Sequence, residues 1–157
     1  MSTTYQQGSL DKVVMIRLQP GKDLIEGITE VCMAQEIKSG AVTSCIGSLR
    51  RASFFTVVPL PTKMGAGYSD PIEMEGPLEL VSAQGTIGLD VEGNLLIHMH
   101  GVLGDGRGNL FGSHLIKGKC PILITGEVMI AVFKEIRAVQ QYDPETEMKL
   151  LTFVRNE

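Results

Sequence analysis

Three histidines, His98, His100 and His114, are the residues whose type and spacing most directly suggest chemistry, and they are the only histidines in the chain. Imidazole is the commonest protein ligand for transition metals and changes charge near neutral pH. His98 and His100 alternate with Ile97 and Met99 in Leu95-Leu-Ile-His-Met-His-Gly-Val102, a period that reads as a strand. Residues i and i+2 of a strand share a face, so the two imidazoles should point the same way from positions about 7 Å apart. Ile97 and Met99 would then back them from the apolar side. The segment Gly104–Gly112 has four glycines in nine residues and must be a tight connection. It would return the chain so that His114 supplies a third nitrogen. Three imidazoles with coordination positions left open suit an exchangeable or catalytic divalent ion, zinc foremost. Nickel, copper, iron and cobalt share the same ligand preference. Such an ion could polarise a carbonyl or activate water. The plainer alternative is two polar residues on a wet strand face plus an unrelated turn histidine.

Glu127, in Thr125-Gly-Glu-Val128, is the nearest candidate carboxylate on a following strand. It could be a fourth ligand, an orienting partner of a ligating histidine or a proton shuttle. It could equally be a surface or inter-strand glutamate. The glycine-rich segment Gly-Asp-Gly-Arg-Gly-Asn-Leu-Phe-Gly-Ser-His lacks the Lys-Ser/Thr of a phosphate loop, so its glycines read as backbone devices.

Composition narrows the classes. The chain has 157 residues, 43% hydrophobic and 20% charged, which suits one domain with a real core. There is no run of 18 apolar residues, so no membrane span is expected. Met1 to Leu10 is polar and lacks the build of a signal peptide, so residues 1–10 are expected to be a flexible leader and the protein soluble and cytoplasmic. Cys32, Cys45 and Cys120 are widely spaced with no CxxC pair, and read as buried free thiols. The net charge is −4 and the 14 Lys and Arg are scattered, with Arg50-Arg51 and Lys117-Gly-Lys119 the closest groupings. That balance disfavours nucleic acid as a partner, because duplex binding needs a basic footprint that neutralises phosphates.

The elements that must position the histidines follow from periodicity and punctuation. Asp11–Gln19 reads as a first strand ending at Pro20-Gly21. Asp23 is a good N-cap for a helix over Leu24–Lys38, with Gly40 as its stop signal. Beyond it, strands are expected near Ala41–Ile46, Leu49–Val58, Ile72–Met74, Leu78–Gly85, Gly85–Val91, Leu95–Val102, Ile122–Ile136 and Lys149–Val154. Val91-Glu-Gly-Asn94 reads as a hairpin turn, and Pro59–Asp70 as a candidate flap or interface loop.

These segments together resemble the plants-and-prokaryotes-conserved (PPC) domain. The resemblance rests on Gly47-Ser-Leu-Arg50, on Glu75-Gly-Pro-Leu-Glu-Leu80, on Ile97-His-Met-His100 and on Phe111-Gly-Ser-His-Leu115, and spans nearly the whole chain. It implies a single α/β (α+β) domain over residues 11–157, with a mixed, largely antiparallel sheet of about seven strands flanked by a few helices. It also implies a homotrimer. The fold is similar to that of acetolactate decarboxylase, whose zinc sits on a comparable three-histidine arrangement. Plant members join the domain to AT-hooks that bind A·T-rich DNA; this chain has no AT-hook and matches the stand-alone prokaryotic type. Arg50 could clamp a substrate carboxylate near the metal with its planar fork, or lie at a trimer interface or on a strand surface. The resulting expectation is a trimeric protein with a three-histidine divalent-metal site that binds or acts on a small molecule. DNA binding or regulation is the alternative.

Overall fold

The computed structural model describes residues 4–155. In chain order the elements are β1 (Leu10–Leu18), α1 (Leu24–Ala34), β2 (Gly40–Phe55), β3 (Val57–Pro59), β4 (Ala66–Tyr68), β5 (Ile72–Leu89), β6 (Leu95–Gly104), β7 (Leu110–Leu115), β8 (Ile122–Phe133), β9 (Ile136–Asp143) and β10 (Met148–Arg155). Residues 1–3 of the expected flexible leader lie outside the described residues. At the leader's other end Ser9 donates its backbone N–H and its hydroxyl to the Glu135 carboxylate.

Eight strands form one sheet in the order β1-β8-β2-β7-β6-β5-β9-β10, and β3 and β4 form a separate ribbon. The ladders are antiparallel except for a single parallel bridge between Leu89 and Val139. The sheet is therefore mixed and largely antiparallel, as expected. β2 pairs with β5 along most of its length and with β7 at its end. The ladders β2–β5–β6–β7 thus return to β2 and close on themselves, while β1 and β10 remain the edge strands of the sheet. Leu49, Leu80, Met99, Leu103 and Leu115, one or more from each of these strands, are buried inside.

Two expectations need correction. Among the described residues the sheet has eight strands rather than about seven, with two more in the separate ribbon, and there is one helix rather than a few. The apolar run from 122 to 136 breaks at Lys134-Glu135, and β9 starts a further hairpin that its Gln-rich second half concealed. β4 and the last residue of β3, Pro59, lie inside the stretch read as a loop, and the rest of β3 is split off from the end of the expected Leu49–Val58 strand.

Helix α1 begins as its cap predicts. Asp23 accepts hydrogen bonds from the N–H groups of Ile25 and Glu26 at 3.0 Å each. Its second oxygen accepts from Cys120 N–H at 2.7 Å, tying the helix start to the segment before β8. The helix stops at Ala34, short of Lys38, because Glu36 takes a left-handed conformation (φ 55°) and Ile37 N–H closes back on Cys32 O at 2.8 Å. Gly40 serves the sheet instead of the helix, since a Cβ there would sit 2.6 Å from Ala131 O across the β2–β8 ladder. Leu24, Ile25, Ile28 and Cys32 form the buried face of α1. Removing the cap with Asp23→Ala is expected to cost about 2–3 kcal/mol, since it frees two helix N–H groups and strands the buried Cys120 N–H. Urea denaturation monitored by circular dichroism measures this directly, and a loss under about 0.5 kcal/mol would refute the double role.

The three cysteines are free and buried, as read from the sequence. Burial pushes the thiols up to about 11 for Cys32, 12 for Cys45 and 11 for Cys120, which makes them poor nucleophiles near neutral pH. Among the described residues no helix is long and apolar enough to cross a membrane.

Candidate metal centre

Two turns of the same chemistry bracket β6. Asp90-Val-Glu-Gly-Asn94 joins β5 to β6, and Asp105-Gly-Arg-Gly-Asn109 joins β6 to β7. In each, the aspartate Oδ1 accepts two N–H groups, from Glu92 and Asn94 in the first and from Arg107 and Asn109 in the second, at 2.8–2.9 Å. Gly93 and Gly108 take φ of 87° and 84° at the tips. The second turn sets the β6–β7 register, which places His100 directly opposite His114. Directly paired residues project from the same face of a sheet, with Cβ atoms about 5 Å apart. His98 lies two residues from His100 and shares that face.

The imidazoles meet as this register requires. The ring centroids are 5.0 Å apart for His98–His100, 4.8 Å for His98–His114 and 5.2 Å for His100–His114. The Nε2 atoms of His98 and His100 are 3.0 Å apart. One nitrogen from each of the three rings can be chosen so that all lie within 4.8 Å of one another. Two nitrogens bound at about 2.0–2.1 Å to one tetrahedral zinc would stand about 3.3 Å apart, so the close His98–His100 pair needs an adjustment of only a few tenths of an ångström. Met99 is fully buried beneath this face and Ile97 packs against the core, which is the apolar backing the alternation predicted.

Electrostatics favours the uncharged ligands that a metal needs. Burial first, then the neighbouring His98 and His100, push His114 down to about 4. His98 is lowered by burial and then by His100. A histidine held below its ordinary value binds fewer protons folded than unfolded. The stability it contributes is present above about pH 6.5 and is lost as pH falls toward 4. In a proton NMR titration of metal-free protein, His114 should therefore stay neutral until near pH 4. A midpoint near 6.5 would contradict the packing of the three rings.

Glu127 and Arg50 are not brought to this cluster. Glu127 is exposed on β8, paired with Arg17 of β1 and Ile46 of β2. His114 meets β2 at Phe55, nine residues beyond Ile46, roughly 30 Å of strand at the usual rise. Arg50 is exposed five residues before Phe55, next to the bulge in the β2–β5 ladder. Among the described residues no carboxylate joins the three histidines. The structure adds a residue the sequence reading did not single out. Tyr68 of β4 places its hydroxyl 3.2 Å from His114 Nδ1, although it stands 46 positions away. Beside His100, a depression of about 320 Å³ is lined by Ser82, Gln84, Val102 and Gly112 among others.

Comparison with known proteins places this chain and its fold in a wider group. Residues 5–134 match the model of the Plants and Prokaryotes Conserved (PCC) domain, the same family that the sequence motifs resemble. Two bifunctional GlmU proteins from Synechococcus strains are 32% and 31% identical over 139 residues, or 88% of this chain. The chain spans only 20% of the length of these relatives. Among solved structures, a metal-containing protein from Archaeoglobus fulgidus superposes with a TM-score of 0.82 at 24% identity, covering 96% of this chain and 99% of that one. A plant- and prokaryote-conserved protein from Pyrococcus horikoshii gives 0.79 at 22% identity, covering 94% and 96%. A protein from Bacteroides thetaiotaomicron named for a conjectured DNA-binding role gives 0.75 at 18% identity, covering 94% and 99%.

Proposed function

Given that the chain belongs to the Plants and Prokaryotes Conserved domain family, we propose that it is a trimeric metal protein in which His98, His100 and His114 hold one divalent ion, zinc foremost, and present it to a small molecule. The observation that carries this reading is the convergence of three nitrogens from two adjacent strands, with the His98 and His100 pair already 3.0 Å apart. A metal is also named in the description of the Archaeoglobus fulgidus protein of the same fold. When bound, the ion would supply Lewis acidity at the mouth of the depression beside His100. The chain's own part is to keep the His98 and His114 imidazoles neutral, to back the cluster with Met99, and to offer the Gln84 amide and Ser82 hydroxyl to whatever occupies the depression. Three neutral ligands leave the ion's double charge uncompensated, so an anionic oxygen, such as a carboxylate, is the ligand group that suits it best.

The trimer is supported by apolar surface on the same side as the site. Val81, Val102 and Leu110 are 47%, 40% and 65% exposed, and Val81 and Leu110 flank Gly104 next to the β6–β7 turn. Burial against another copy would cover them. Light scattering should return three times the 17.0 kDa chain mass, and a monomer would remove this part of the proposal. Metal analysis of tag-free protein tests the centre, with about one equivalent per chain expected. No bound metal, together with no uptake at micromolar zinc, would overturn it. The alternative of duplex DNA binding has a counter-indication in the net charge of −4. It predicts salt-sensitive binding that this proposal does not.

A further inference from the structure

We propose that Tyr68 is a positioning residue that sets the tautomer of His114 and thereby leaves its Nε2 with the lone pair that an ion needs. The consequence for the ion rests on the metal reading above, whereas the geometry does not. A neutral imidazole carries one proton, and the nitrogen without it holds the lone pair a metal needs. Tyr68 Oη lies 3.2 Å from His114 Nδ1. If Nδ1–H donates to the phenol oxygen, Nε2 is left unprotonated and free to ligate. A ligating histidine characteristically donates its other ring N–H to an oxygen acceptor, and the phenol is placed to be that acceptor.

The phenol is held rather than carried on a free loop. Its ring packs against Phe55 with centroids 5.6 Å apart and against His114 at 5.1 Å, and Phe55 pairs with His114 across the β2–β7 ladder. At the base of the β3–β4 ribbon, Ser69 N–H donates to Thr56 O at 2.8 Å, and Thr56 N–H donates to the Ser69 hydroxyl at 3.2 Å. Toward its tip, Lys63 Nζ donates to Pro144 O at 2.7 Å in the β9–β10 turn. The ribbon is thus tied at both ends, and Tyr68 stands where its hydroxyl meets one ring nitrogen. An unconstrained histidine favours the Nε2–H form, so the Nδ1–H form at His114 needs a cause such as this contact.

Tyr68→Phe keeps the ring and removes the acceptor. Long-range proton–nitrogen NMR of the metal-free protein at pH 7 reads the tautomer of His114 directly. The wild type should show Nδ1–H, and Tyr68→Phe should shift His114 toward Nε2–H without changing the melting temperature. Zinc affinity, measured by competition with a chromophoric chelator, should fall about 10- to 100-fold in the variant. An Nε2–H wild type, or a variant with unchanged tautomer, overturns the proposal, as does unchanged zinc affinity. If the tautomers differ as expected but neither protein binds zinc, the positioning role stands and the metal reading falls instead.

Discussion

Zinc affinity should drop at least about 100-fold when His100 is replaced by alanine, equivalent to about 2.7 kcal/mol. The reason is geometric. His100 is the only one of the three that both pairs directly with His114 across β6–β7 and brings its Nε2 within 3.0 Å of His98 Nε2. Without it, the remaining pair, one ring on each strand, presents only two nitrogens, too few for a tight site. His98→Ala should behave similarly. The metal-free fold should hardly notice the change, because His100 is exposed and such surface substitutions usually stay within about 0.5 kcal/mol. Zinc at about 100 times its dissociation constant should stabilise the wild type by about 2.7 kcal/mol. At about 2–4 °C per kcal/mol for a chain of this size, the melting temperature should rise by about 5–10 °C. In His100→Ala the rise should vanish. An equal rise in both proteins would show that zinc binds elsewhere.

The second large effect is on folding itself. Gly112→Ala should cost about 3–5 kcal/mol, a sizeable part of the roughly 5–15 kcal/mol that holds a typical domain folded. Gly112 takes φ of 150° opposite Val102 in the β6–β7 ladder, a conformation that side chains rarely adopt and that costs about 1–3 kcal/mol. A Cβ there would also be driven into the carbonyl oxygen of Gly101, a backbone atom that cannot rotate away. Relief would require opening the hairpin that joins His100 to His114, so metal affinity should fall together with stability. Gly106→Ala in the same connection is the control. A Cβ there meets nothing within 4 Å, and a change below about 1 kcal/mol is expected. Urea midpoints of the two variants decide the matter, and comparable losses in both would refute the backbone account. Gly47, with φ of 153° and Thr125 O in the way, should behave like Gly112.

Local chemistry explains what was readable without a structure. The alternation through Leu95–Val102 put both histidines on one face and Met99 on the other, since the period of a strand is a property of the backbone. The Asp23 cap was legible for the same reason: its partners are two and three residues away. The helix end was missed because Glu36, not a glycine, adopts the left-handed turn. The glycine-rich connection was correctly read as tight. Its composition alone could not say that Asp105 would repeat the hydrogen bonding of Asp90 and so pair residue 100 with residue 114.

The sequence by itself determined which imidazoles are candidate donors, the shared face of His98 and His100, and the turn chemistry, all of which act over a few residues. Tertiary structure decided the membership of the site. The β6–β7 register delivered His114, and the closure of β2 onto β7 brought Phe55 beside it. The ribbon laid Tyr68 on the same ring from 46 positions away. The same long-range pairing carried Glu127 off to β8, between β1 and β2. Strand neighbours are chosen by how apolar faces close around a shared core, and no local pattern along the chain encodes that choice.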